Sequence, residues 1–371
     1  MRHPNEPVRR RGSWIDPANR FSATCVEING DAVDHRLAEQ RAAGEDAGPA
    51  RVPLQIFPDR TKTIINAVTP TSDVPFNWTL NPYRGCEHGC VYCFARPFHE
   101  FLGFSCGLDF ETKLTVKQDA PELLRRELAH SRWTPEPIVM SAITDIYQPI
   151  EAEQRLARRC LEVFAETEQP VSTMTKGALS LIRRDLDLWS RMAARGTAQF
   201  TVTLVTLDAE LAMQLEPRAA PPAMRLRAIR ELTEAGIPVS VNVAPVIPGL
   251  TDSGVPDVLS AVADAGAKRI RWVTLRLPHQ LKAVFTEWLE RVCPERRDRV
   301  LSAVRAGQGG ALYRSENRWQ KRGRGPASDA TADLIDVFIR RHGFDRDLPP
   351  LRTDRFRPPV LAGQQFGLFG A

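Results

Sequence analysis

The chain has no apolar run approaching the roughly 20 residues that a helix needs to cross a bilayer, so no membrane span is expected. Its first residues, MRHPNEPVRRRGS, are basic, but no apolar segment follows them, so no secretory leader is expected. A glycine fingerprint for a dinucleotide is missing too, which disfavours a Rossmann sheet. Lysine is scarce, at 7 of 50 basic residues, an arginine bias that reflects genome composition more than function. Cysteine is sparse and odd in number, at 7. Cys25, Cys106, Cys160 and Cys293 share no spacing, which argues against a disulfide framework and against a second cysteine-ligated centre. A reducing cytoplasm is the expected location. The net charge of +5 permits a nucleic-acid or phosphate partner without requiring one.

What is present is concentrated in residues 81–97, NPYRGCEHGCVYCFARP. Cys86, Cys90 and Cys93 are spaced C-x3-C-x2-C on a loop with glycines at 85 and 89. Thiolates are soft ligands that suit iron–sulfur clusters, zinc and copper(I). A [4Fe-4S] cluster normally takes four protein thiolates, so three leave one iron open to a substrate or cofactor. Structural zinc is the alternative, with His88 or His99 as a fourth ligand. The spacing favours the cluster.

The remainder divides into three stretches. Residues 1–72 show little periodicity and read as an N-terminal extension, partly disordered, with a possible short helix at 36–46 and short strands at 54–57 and 63–68. Residues 73–300 alternate strand-like and helix-like runs. Strands are expected at 78–81, 138–144, 171–175, 199–206, 239–246 and 270–277. Helices are expected at 121–131, 151–167, 179–194, 222–235, 255–265 and 280–292, two of them followed by a capping glycine at 236 and 266. Six such units imply an α/β fold with a parallel sheet, a partial (β/α)6 TIM-type barrel carrying N- and C-terminal extensions. Residues 301–371 form a C-terminal region with a basic aromatic segment at 313–324, an amphipathic helix at 329–342 and a flexible tail.

In parallel barrels the chemistry sits on loops at the C-terminal ends of strands. The cysteine loop follows the first strand. Ser141, Thr144 and Asp145 end the second, Thr175 and Lys176 the third, Thr203 and Thr206 the fourth; Asn242 lies on the fifth and Arg276 on the sixth. A lysine at the end of an apolar strand is costly to bury without an anion. Each residue alone suits a turn or cap; together on one rim they suggest a ligand pocket.

The cysteine spacing, with Tyr92 just before the last cysteine, resembles the radical S-adenosylmethionine (SAM) enzymes. The stretches 141–151, 173–177, 200–206, 215–239 and 243–249 resemble the spore photoproduct lyase group, and most of all an uncharacterised bacterial subgroup related to it. The resemblance implies a [4Fe-4S] cluster on Cys86, Cys90 and Cys93, whose open iron chelates SAM, and an electron donor such as flavodoxin or ferredoxin. It implies reductive cleavage of SAM to a 5′-deoxyadenosyl radical that abstracts hydrogen. It places Lys176 and Thr203 at the SAM carboxylate, Ser141 and Thr144 near the amino end, and Asn242 with residues 244–246 near the ribose or adenine. The lyase carries a hydrogen-donating cysteine on its second strand. Here that strand ends in Ser141, Ala142 and Ile143, so direct spore photoproduct repair is not expected, and Cys106 is the remaining candidate donor.

The expected substrate class is nucleic acid, in DNA repair or modification. A peptide or small molecule is the enzyme alternative, and a non-catalytic iron–sulfur or zinc protein that binds nucleic acid is the alternative outside catalysis. Gln365, Phe366, Leu368 and Phe369 resemble the short motif by which bacterial repair proteins bind the sliding clamp.

Overall fold

The computed structural model describes residues 10–22, 52–69, 71–72, 74–315, 322–344 and 347–361. Six parallel strands form the frame: β3 (Trp78–Leu80), β6 (Ile138–Met140), β7 (Val171–Thr175), β8 (Ala198–Thr203), β9 (Val239–Val246) and β10 (Arg269–Thr274). They lie side by side in chain order, and β2 (Ile65–Ala67) pairs antiparallel with β3 at the edge. Among the described residues the sheet does not close, so the fold is the expected partial barrel. A smaller sheet joins β1 (Gln55–Pro58), β5 (Lys113–Val116) and β4 (Tyr83–Arg84).

The strands form where β-branched and aromatic residues alternate with small polar ones. On β8 and β9, Ala198, Phe200, Val202, Val239, Val241 and Val243 point into one large core with the covering helices. The crossovers include α1 (Ala120–Leu128), α2 (Leu156–Thr167), α3 (Leu186–Ala194), α4 (Pro222–Glu234), α5 (Val255–Asp264) and α6 (Leu281–Val292). Helix α4 starts on a proline, whose missing N–H costs nothing there, and stops at Gly236, which adopts φ +77°. The single helix expected at 179–194 is two helices, Leu179–Arg184 and α3, separated at Asp185. Asp185 is fully buried and bonded by Arg158 and Arg184, which holds the break.

The opposite face of the sheet is polar. Thr203 pairs with Asn242, and Asn242 with Arg271, so these three form one row across β8, β9 and β10. Because Thr175 pairs with Val202, Lys176 comes level with that row one residue further on. At the N-terminal ends of the strands, residues 347–361 run along the sheet. Asp347 pairs with Arg269, Gln199 donates to Pro349 O, and Arg352 N–H donates to Gly196 O. The helix expected at 36–46, Cys25 and the tail motif at 365–369 lie outside the described residues. Arg322 of the basic segment stacks over Trp272 and pairs with Asp336.

Candidate functional site

The cysteine loop leaves β3 at the C-terminal rim and packs across the mouth. Cys90, Val91, Tyr92 and Cys106 share a core with Leu281, Phe285 and Trp288 of α6, the helix after the last strand. The loop thus joins the first and last units of the open barrel.

Its shape is set from behind by one arginine. Arg96 is fully buried. Its Nε donates to Cys90 O at 2.8 Å, Nη1 to Cys106 O at 3.2 Å and Gly107 O at 2.7 Å, and Nη2 to Gly89 O at 2.9 Å. Nη2 also reaches Glu111 Oε1 at 2.5 Å. Burial opposes the charge on Arg96, but Glu111 outweighs it and holds the pKa above the usual value. Glu111 in turn accepts the backbone N–H groups of Gly12 and Ser13, both at 2.9 Å. Gly12 lies so close to the loop that a Cβ there would stand 2.0 Å from Gly89 O. Only glycine fits.

The front of the loop is fixed by the turn after β6. Thr144 Oγ1 donates to Gly85 O at 2.7 Å, and Ser141 Oγ donates to Thr144 O or Met174 O at 2.7 and 2.8 Å. Ser141 takes φ +83°, a conformation a non-glycine residue adopts only under constraint. Asn81 supplies that constraint by accepting from the N–H groups of Ala142 and Ile143. Asp145 accepts from Thr175 Oγ1 at 2.6 Å and Lys176 N at 2.8 Å, and pairs with His88 Nδ1 at 3.3 Å. Burial would raise the Asp145 carboxyl, but His88, Thr175 and the Lys176 N–H lower it to about 2. One carboxylate thereby ties the loop to the ends of β6 and β7.

A second buried carboxylate lies beside the cysteines. Glu216 accepts from the Tyr92 hydroxyl and from Arg225, whose Nη1 also donates to Thr203 O at 3.1 Å. Lys176 stands with its Nζ 5.7 Å from the Tyr92 ring centroid. Burial works against its charge, yet Cys90, Glu216 and Cys93 hold its pKa above the usual lysine value. Among the described residues no carboxylate lies within ion-pair distance of Lys176. Burial pushes the Cys90 thiol up to about 12 although Lys176 opposes it, and pushes Cys86 well above its usual value.

The geometry therefore gathers Cys86, Cys90, Cys93, Lys176 and Thr203 at one rim, with Asn242 next to Thr203. The Thr144 hydroxyl serves the cysteine loop's backbone at Gly85, and that of Ser141 serves the backbone at Thr144 and Met174. Cys106 is fully buried behind the loop, with its thiol raised to about 12 by burial. His99 lies against Phe104 and Phe110, and His88 is held by Asp145. Sequence reasoning did not single out Arg96, Glu111, Glu216 or Arg225. Arg96 and Glu216 each stand beside a proline, while Glu111 and Arg225 lie among other charged residues and carry no signal.

Residues 80–262 match the Radical SAM superfamily. An uncharacterized protein of Mycobacterium tuberculosis H37Rv is 38% identical over 248 residues, 66% of this chain and 72% of that protein. Another from Methanocaldococcus jannaschii is 27% identical over 199 residues, 54% of this chain and 70% of its own length. The chain belongs to the radical SAM superfamily, whose members use SAM and an iron–sulfur cluster. Among solved structures it shares its fold with spore photoproduct lyase. The lyase complexed with dinucleoside spore photoproduct superimposes with a TM-score of 0.51 at 17% identity, covering 78% of each chain. A single-residue mutant of the lyase gives 0.54 at 17% identity over 88% of this chain and 86% of that one.

Proposed function

We propose that Cys86, Cys90 and Cys93 hold a [4Fe-4S] cluster and that Lys176 and Thr203 hold the carboxylate of SAM bound beside it. The donor set supports this. Tetrahedral zinc, with Zn–S bonds of about 2.3 Å, brings its thiolates to about 3.8 Å from one another. Three thiols on one loop are one short of the four N or S ligands that a structural zinc site takes. His88 is held by Asp145 through Nδ1, and His99 packs against Phe104 and Phe110. Ligands on separate corners of a cluster stand further apart, and three thiols on one loop suit that arrangement.

Lys176 carries the reading. It is a cation on the catalytic rim, beside two thiols, with no carboxylate of the described chain in ion-pair contact; Glu216, which favours its charge from a distance, is bonded to Arg225 and Tyr92. A SAM carboxylate supplies the missing anion through a charge-assisted bond. When bound and reduced, the cluster and SAM supply a 5′-deoxyadenosyl radical for hydrogen abstraction. The protein's own residues orient SAM and, through the core under the loop, keep water from the thiols.

The substrate class we favour is nucleic acid, which a dinucleoside lesion in the fold relative also represents. Cys106 is an unsuitable hydrogen donor, since it lies behind the loop with no exposed surface. Anaerobically reconstituted protein should be brown, bleach on reduction and release 5′-deoxyadenosine from SAM. A colourless zinc protein that leaves SAM intact would overturn the proposal.

A further inference from the structure

Ten large apolar side chains are exposed among the described residues, and every aromatic one of them lies in a single strip. Phe94, Phe98 and Phe101 are 49%, 48% and 64% exposed, and Phe21 is 57% exposed. Phe94 directly follows Cys93. Phe98 and Phe101 lie three residues apart on the short 3₁₀ helix Arg96–Leu102, so at three residues per turn they share its outer side while Arg96, His99 and Glu100 are buried beneath. Phe21 stacks on Phe101 with ring centroids 4.9 Å apart, and Phe101 lies 6.4 Å from Phe98.

The strip is built, not incidental. Asn19 Nδ2 donates to Glu100 O and Phe104 O, at 2.8 and 3.0 Å, and Arg20 N–H donates to Glu100 Oε1 at 3.1 Å. These bonds pin residues 19–21 to the helix. Arg20 then stands over both rings, 4.6 Å from the Phe21 centroid and 5.6 Å from Phe101. Exposed His279, just before α6, lies within electrostatic reach of Arg20, Glu100 and Lys282. Arg20 and Lys282 carry the positive charge here, and among the described residues of the strip the one carboxylate, Glu100, is buried and lies 3.5 Å from Arg20.

We infer that this strip is a stacking platform for unpaired bases of a nucleic acid delivered to the neighbouring radical site. Exposed rings with a guanidinium carbon 4.6 and 5.6 Å from their centroids offer what bases stack on, and Arg20 and Lys282 suit a phosphate backbone. Phenylalanine has no polar atom, so the platform reads the presence of a base and not its identity. The inference rests on the nucleic-acid reading of the substrate and adds where the strand lies.

Binding of a fluorescent oligothymidylate strand to the full-length protein, followed by anisotropy, tests it. Phe98→Ala/Phe101→Ala should bind about tenfold or more weakly, since each lost base–aromatic stack is worth that much. Phe101→Trp should retain binding, and bound iron and melting temperature should match wild type in both. Equal binding by wild type and the double alanine variant would overturn the platform and leave the nucleic-acid reading standing. Failure of the wild type to bind single-stranded or duplex DNA or RNA would overturn both. Wild-type dimers that the alanine variant converts to monomers would assign the strip to a second copy of the chain, and overturn the platform.

Discussion

Arg96 and Glu111 form a fully buried ion pair behind the cysteine loop, with Nη2 2.5 Å from Oε1 and both side chains sealed from solvent. Fifteen residues separate them in sequence. Arg96 uses its fork to hold four backbone carbonyls besides this carboxylate, so an ammonium cannot replace it. Arg96→Lys should destabilise the metal-free protein by about 3 kcal/mol or more, the usual cost of breaking a buried pair. Chemical denaturation checks this, and iron content after reconstitution should fall with it. Wild-type stability in the variant would refute the role assigned to the fork.

Lys176→Met should weaken SAM binding by roughly tenfold to a hundredfold, the equivalent of one lost bond to a charged group of about 1.5–3 kcal/mol. Iron content should stay at the wild-type level, because Lys176 is no ligand. Equilibrium dialysis of SAM against the reconstituted protein gives the answer. Unaltered affinity would mean that the SAM carboxylate binds elsewhere.

Much of this architecture was legible in the sequence. All six parallel strands fall where short β-branched runs lie, because burial against helices demands that composition. The cysteines were legible because three soft donors sit within eight residues. The networks that shape the site were not. Gly12 and Glu111 lie 99 residues apart, and Tyr92 and Glu216 lie 124 apart. No periodicity connects such pairs. Arg96 and Arg225 are also camouflaged by the chain's abundance of arginine, most of which is solvated. Of the small sheet only the strand expected at 54–57 was legible, as β1; a strand as short as Tyr83–Arg84 carries no pattern at all.

Tyr92→Phe should leave the buried Glu216 one donor short while keeping the ring beneath Lys176. The expected cost is about 1–3 kcal/mol, the penalty for an unsatisfied buried acceptor. Glu216→Gln should cost more, because it also leaves the buried Arg225 without its carboxylate. A double-mutant cycle in denaturant measures the coupling, and additive losses would show that the hydroxyl and the carboxylate act independently.

Lys117 gives a pH signature remote from the thiols. Burial, with Arg84 adding to it, lowers its pKa from 10.5 to about 8. The unfolded chain therefore holds more protons than the folded one between pH 8 and 10.5, and the Lys117 contribution to stability rises with pH across that window. Below pH 8 the charged form is buried at a cost of roughly 3 kcal/mol, from about 1.4 kcal/mol per pKa unit. Lys117→Met should remove this slope and stabilise the protein at neutral pH. A slope that survives the substitution would assign it to another group.

The bonds around Arg96 also bear on the order of assembly. Gly89, Cys90, Cys106 and Gly107 are positioned by protein alone, through a guanidinium and a strand of chain threaded behind them. A zinc finger gains its fold from its metal; here hydrogen bonds between protein atoms already set the outline of the loop, so the proposed cluster would be held by a backbone that other contacts shape.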